Sequence, residues 1–352
     1  MKKTLLILTA LLIISAVPVF SEASVSGEFA YGFNTSGDVY ESVFDTGDLI
    51  FTGTMGAASI VFGLDFTLID SSGEFLSSDF IGDTYLSVDI MESLGLDSPV
   101  GMTFLAGITS FSPQNYFDDM MGYEAIDVIN AETKTSSYMA VGFTFLDNLH
   151  FDVAIDPDLV DGVQNLFTNA YGSFGIVDAE VYYNKSGDGS SSDWSDGNFE
   201  ALGANIAADF GTYVDGIDSL LLGAGGEYNI DFEELFYGVT GGVEISSLFF
   251  GASFAQKINL EEDPEDSYGA TQMGLGFDAR YALTKSLKVY GAFMMKDLQN
   301  VETDTLGYEI SASYDFGDSL TAYAGYVTEG SGYNALGDVL DDSFFFAIST
   351  SF

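Results

Sequence analysis

Apolar residues return at every second position in one window of this chain after another. Val25, Phe29, Tyr31 and Phe33 share a face, and so do Ile60, Phe62, Leu64, Phe66 and Leu68, with Gly63, Asp65 and Thr67 opposite. Leu149, Phe151, Val153 and Ile155 alternate with His150, Asp152 and Ala154. Met273, Leu275, Phe277 and Tyr281 alternate with Gln272, Gly276, Asp278 and Arg280, and Leu306, Tyr308, Ile310 and Tyr314 with Glu309, Ser311 and Asp315. A period of two sustained over about ten residues predicts strands with two different faces. The fold class is all-β.

What the second face carries decides between a soluble sandwich and a barrel. A sandwich turns that face to water and fills it with Lys, Glu and Arg. Here it is mostly Gly, Ser, Ala and Thr with scattered Asp, while the apolar face is Phe, Leu and Tyr. Closed antiparallel transmembrane barrels have that arrangement, with an apolar band toward lipid and a polar lumen. About ten residues rising ~3.3 Å each at a tilt near 45° cover ~23 Å, close to the roughly 25 Å of such a band.

The connections alternate in length. Short links fall near Gly56 to Ala58, Asp147 to Asn148, Val177 to Asp178, Ser246 to Ser247, Leu283 to Ser286 and Gly317 to Ser319. Between them lie longer polar segments: 35–47, 110–135, 156–168, 185–198, 258–268 and 329–341. Short periplasmic turns and long external loops do this in barrels. The count is about 18 strands, or 16 if weak segments near 82–92 and 220–245 merge, and both chain ends fall on the periplasmic side. The uncharged stretch 49–64 is shorter than the ~20 residues of a membrane helix and reads as a hairpin. Stretch 99–117, interrupted by Pro113 and polar residues, reads as a strand running into a loop.

Composition agrees with an unusual solvent. Hydrophobic residues make up 47% and aromatics 15%, yet the formal net charge is −45. Disorder at that charge would go with few aromatics, so the apolar residues must be buried in something. Nucleic acid is excluded as a partner, because phosphate binding needs basic patches and none follows the first residues. Lys2 and Lys3, an apolar stretch from Leu5, and small residues at Ser21 and Ala23 read as a signal peptide over 1–23, cleaved after Ala23 or, second, after Ser21. With 0 Cys, the remaining barrel, 24–352, is neither lipid-modified at a cysteine nor held by disulfides.

The chain ends on "SFFFAISTSF", with Phe344, Phe346 and Ile348 alternating up to a terminal Phe352. With the leader, the glycine- and aromatic-rich alternation and the absence of cysteine, this resembles the outer-membrane porins of diderm bacteria. The resemblance implies that Phe344, Phe346, Ile348 and Phe352 are the signal read by the barrel-assembly machinery, and that the last strand closes on the first near 25–33. It also implies an outer-membrane location in contact with lipid, and a homotrimer. General porins fold their third external loop into the bore. By that likeness segment 110–135 is the constriction, with Asp118, Asp119, Glu124 and Asp127 toward the pore. The chain departs from the pattern in lacking the opposing arginine cluster: Arg280 is its one arginine, with Lys288 and Lys296 nearby in sequence.

Candidate chemistry is sparse. His150 is the only histidine, and beside Asp152 it reads as a pore-wall residue, so the chain is not read as an enzyme. No cofactor and no metal is expected. Asp65, Asp89, Asp152, Glu180, Glu227, Glu244, Asp278 and Glu309, with Arg280, are the lumen-facing candidates. Acids around water attract cations and repel anions. Segments 186–198 and 259–267 cluster carboxylates without the EF-hand spacing, and read as solvated loops; Trp194 lies in the first. Tyr31, Tyr85, Tyr138, Tyr281, Tyr308 and Tyr326 read mostly as interfacial girdle residues. The functional expectation is a passive, cation-selective channel for small hydrophilic solutes. The alternatives are a surface barrel with a plugged lumen or a sugar-specific channel.

Overall fold

The computed structural model describes residues 22–36, 39–67, 82–114, 116, 128–129, 136–146, 148–160, 163–186, 199–260, 271–299, 306–317, 319–328 and 343–351. They form 18 antiparallel strands in one sheet closed on itself. In chain order these are β1 (Glu22–Ser36), β2 (Val39–Met55), β3 (Ala58–Thr67), β4 (Thr84–Asp89), β5 (Val100–Thr109) and β6 (Ser136–Phe145). There follow β7 (Leu149–Val160), β8 (Val163–Phe174), β9 (Val177–Ser186), β10 (Phe199–Asp209), β11 (Ser219–Asn229) and β12 (Glu234–Ile245). The last six are β13 (Leu248–Asn259), β14 (Thr271–Ala282), β15 (Leu287–Met295), β16 (Leu306–Gly317), β17 (Leu320–Val327) and β18 (Ser343–Ser351). Each strand pairs with its sequence neighbours, and β1 pairs with both β2 and β18.

The two weak segments are separate strands, which settles the count at 18 rather than 16. β4 has only six residues, and the turn 230–233 divides β11 from β12. The uncharged stretch 49–64 is the β2–β3 hairpin. The link expected at Val177 sits two residues earlier, at 175–176.

Segments 35–47 and 156–168 differ from the expectation of long loops. The β1–β2 ladder runs to Ser36 opposite Val39, and the β7–β8 ladder to Val160 opposite Val163. Backbone pairing continues where no face has to be apolar, so the sequence there loses its period without losing its strand. One connection at the short-turn end holds a helical turn, α1 (Ile90–Ser93). Its cap is Asp89, whose carboxylate accepts the Glu92 N–H at 2.9 Å. Of the expected leader, 1–21 lies outside the described residues, whereas Glu22 and Ala23 are paired in β1 opposite Thr54 and Gly53.

Burial follows the alternation read from the sequence. Ile310 is 69% exposed and its neighbour Glu309 1%. Phe277, Tyr281, Tyr308 and Tyr314 lie on the exposed face, and rings on adjacent strands meet there, as Tyr326 does with Tyr308 and Phe344. Phe344, Phe346 and Ile348 are exposed too, while Phe345 and Ala347 between them are buried; Phe352 lies outside the described residues.

The closing seam runs from Glu28 opposite Ser351 to Thr35 opposite Phe344. Gly32 faces Ala347 there, and a Cβ on it would fall 2.6 Å from both the Ala347 Cβ and the Phe346 carbonyl oxygen. Gly32→Val is therefore expected to hinder closure and reduce the fraction migrating as a compact band in unheated SDS electrophoresis. Gly291→Ala, where the nearest atom is 4.0 Å away, should migrate as the parent does.

Candidate functional site

Directly opposed residues on neighbouring strands share a face, so the register reads out the inner wall row by row. One row runs through Thr144, His150, Tyr171, Glu180 and Asn205 on β6 to β10. The next runs through Gly142, Asp152, Asn169, Tyr182, Gly203 and Glu227 on β6 to β11, then Phe236 and Lys257 on β12 and β13. Glu180 is 2% exposed and the adjacent Val181 55%, so the polar row is the covered one. Tyr182 lies flat over Gly203, where a Cβ would come within 2.2 Å of the ring, and its hydroxyl donates to the buried Glu227 at 2.5 Å.

The segment leaving β5 explains the cover. Eighteen strands ~4.8 Å apart and tilted about 40° enclose a bore roughly 35 Å across, backbone to backbone. Far from staying beside β5, the described residues of 110–135 touch distant walls. Phe111 packs on Tyr138 of β6 (edge-on, 5.2 Å between centroids) and Phe167 of β8 (stacked, 5.9 Å), over Leu105, Ala140 and Ala154. The Gln114 N–H donates to Glu180 on β9 at 2.7 Å, and the Tyr116 N–H to the Asn205 Oδ1 on β10 at 2.9 Å. The Tyr116 side chain lies against Ala207, beside Leu221 of β11. Val128 and Ile129 are buried with Tyr182, Ala201 and Ala255, the last on β13, eight strands round the ring from β5. Where the chain returns, Ser136 donates to the buried Asp156 on β7 at 2.5 Å.

Asp118, Asp119, Glu124 and Asp127 lie outside the described residues, as do most of the two acidic segments 186–198 and 259–267, Trp194 included. Asp65 is in β3 opposite Asp48, at the end of a ladder whose inward positions include Gly63. Asp152 is half-buried. Asp278 and Glu309 are buried rather than bathed: Asp278 pairs with Arg280 at 3.3 Å, and Glu309 accepts from Ser311. Arg280 also stacks on Phe249, 3.8 Å from the ring centroid. Asp89 caps α1 and stands opposite Thr103, which is opposite Gly142, and Glu244 stands opposite Phe249 near the short-turn end, so the register puts both on the inner face. His150 stacks on Tyr171 (4.8 Å, 15°) and its Nδ1 is 3.2 Å from the Thr144 hydroxyl. Among the described residues no group of three or more His, Cys, Asp or Glu could hold a metal ion.

Two tyrosines depart from the girdle reading. Tyr138 is buried inside under Phe111, and Tyr85 stands opposite Val61 and Gly107 on the inner side of β4. Their alternation is the same as that of outward residues; only the register assigns the side. Glu180 was legible as an inward acid, but nothing in its local sequence announces the N–H of Gln114, 66 residues earlier. At the long-loop end of the outer surface, Lys185 pairs with Glu200 at 2.9 Å, and Tyr183 donates to the same carboxylate. Asp231, in the turn beside them, has its carboxyl pushed above the usual range by burial and then by the charge of Glu200.

A closed 18-stranded antiparallel barrel is the architecture of outer-membrane porins. Among solved structures, the chain is similar to OccAB4 of Acinetobacter baumannii, at 8% identity over 95% of this chain and 98% of that one, with a TM-score of 0.56. It is similar to OccK5 (OpdH) of Pseudomonas aeruginosa at 10% identity over 94% and 96% of the two chains, TM-score 0.54. OccK8 (OprE) of the same organism gives 9% identity over 94% and 97%, TM-score 0.54. No protein-family profile matches the chain, and no curated protein does. The likeness lies in the fold.

Removing the ring that caps the inner cluster has a predictable cost. Phe111→Ala should lower stability by about 2 kcal/mol, less than the 3–5 of a fully buried ring because Phe111 is only half-buried. The denaturant midpoint of the detergent-solubilised protein measures it.

Proposed function

We propose that this protein is an outer-membrane porin, a passive diffusion channel for small hydrophilic solutes and ions with a preference for cations, and that segment 110–135 forms its constriction. The observation that carries the reading is the path of that segment. Its described residues bond to β9 and β10 and pack as far as β13, eight strands from where it leaves the wall. A bore roughly 35 Å wide would pass almost anything. A chain laid across it narrows the passage to solute size. Segment 110–135 has the reach, since half its 26 residues, at ~3.4 Å each, extend ~44 Å.

Charge supports the cation preference. Lys257 on β13 is held by Glu234 at 2.8 Å and Arg280 on β14 by Asp278, so these two wall cations sit against carboxylates. Asp152 and Glu180 stand on the inner rows, and the segment adds Asp118, Asp119, Glu124 and Asp127. An acidic, low-dielectric passage concentrates cations. No enzymatic step is part of this function. The outward Phe344, Phe346 and Ile348 are the face offered to the assembly machinery, with the short turns in the periplasm and the long loops outside.

A plugged, surface-binding barrel is the second reading, favoured by the apolar packing of Phe111, Tyr138 and Phe167 within the bore. Planar-bilayer recording separates the two: discrete current steps support the channel, and a correctly inserted but silent protein supports the plug. A current blocked by one sugar would make the channel substrate-specific. In a salt gradient the reversal potential should report cation selectivity that fades toward 1 M salt, where the Debye length is only about 3 Å. Changing Asp118, Asp119 and Asp127 to Asn and Glu124 to Gln should reduce it. Anion selectivity in the parent would overturn the electrostatic reading, and unchanged selectivity in the variant would release those four acids from the role.

A further inference from the structure

We propose that His150 makes the ion selectivity of the pore depend on pH: uncharged, it leaves the acids of the β7–β9 wall unopposed, and protonated, it sets a positive charge among them. The inference rests on the channel reading and names a residue of the wall itself that determines its selectivity.

Histidine is the side chain whose ordinary titration falls between pH 5 and 8, and this chain has a single one. It stands second in β7, on the inner row with Thr144, Tyr171 and Glu180, and is half-buried, so the bore reaches it. Among the described residues the charged groups that face it are acids. Asp152 follows two residues along β7, ~7 Å away at about 3.3 Å per residue. Across on β8 is Tyr171, whose hydroxyl reaches the Asp152 carboxylate, with the Tyr116 phenol near it. Beyond, on β9, stand Glu180, bonded by Asn169 and Asn205, and Asp178, bonded by Ser173. On the other side β6 brings Thr144 and Gly142, and β5 brings Gly101 and Thr103, none of which titrates.

The ring is held so that it changes charge without moving. It lies flat on Tyr171, 4.8 Å between centroids at 15°, and its Nδ1 is 3.2 Å from the Thr144 hydroxyl. That hydroxyl turns to donate to a bare Nδ1 or to accept from a protonated one, and a cation over a tyrosine face is attracted to it. Gly142 leaves room for the acid beside it, since a Cβ there would fall 2.6 Å from the Asp152 Oδ1. Protonation therefore places one unit of charge ~7 Å from Asp152, inside the Debye length of about 8 Å. An ion passing along this wall feels the sum of the two.

The test is the reversal potential of the protein in planar bilayers under a potassium chloride gradient, read from pH 8 to pH 5. The cation-to-anion permeability ratio of the parent should fall by about twofold, the scale of one elementary charge acting over ~7 Å in screened water. His150→Asn should remove that change. His150→Lys, charged throughout, should hold at pH 8 the ratio that the parent reaches at pH 5. A histidine that only supported the wall would give two variants altered alike at every pH, and that result rejects the proposal. The parental pH profile persisting in His150→Asn overturns it too. Should His150→Asn not fold, His150→Gln carries the same comparison with His150→Lys. A conducting, cation-selective parent whose ratio stays constant from pH 8 to pH 5 defeats this inference alone. A parent that passes no current defeats the channel reading, and this one with it.

Discussion

Every backbone N–H and C=O that meets hydrocarbon must find its partner within the protein, and this constraint organises the whole molecule. An unpaired group in lipid costs several kcal/mol, so a sheet can live there only if its first and last strands meet. β1 and β18 do so over the seam from Glu28 to Thr35. Closure explains why Gly32 faces Ala347, where no larger pair would fit. With the edge removed, side chains on the two faces answer to different solvents. Phe, Leu and Ile outside meet lipid; Asn, Glu and Ser inside meet one another.

A ring of 18 strands leaves a wide hollow, and the first residues after β5 lie on its inner wall. Their contacts mix small apolar patches with polar bonds. Phe111 and Tyr116 provide the first, and Glu180 with Asn205 provides the second. The fixed hydrogen bonds give the segment an address that apolar packing alone would leave loose, since rings slide over one another at little cost while a carboxylate accepts from defined directions.

Charges on the inner wall are partly paired. Lys257 is held by Glu234, and Arg280 by Asp278 and the face of Phe249, while Lys288 stands opposite Ala282 and Ser313 on the same face. The field of an exposed charge is screened within about 8 Å at physiological ionic strength, so its reach is set by where the register places it.

The alternation of Phe277 with Asp278, or Ile310 with Glu309, was enough to establish strands, their two faces and the barrel class, because lipid and a polar interior impose a period of two on every residue that crosses the apolar band. It was not enough beyond that band. The continuation of β1 into β2 and of β7 into β8 is invisible in a polar sequence, since backbone pairing there asks nothing of the side chains. Tyr138 and Tyr85 could be placed on a face only once their partners were known, and Asp89 was spent on a helix cap that alternation cannot register. The meeting of Gln114 with Glu180, or of Val128 with Ala255, belongs to the tertiary structure alone. Local sequence records the solvent each residue meets, whereas a contact across the bore depends on where closure brings distant strands.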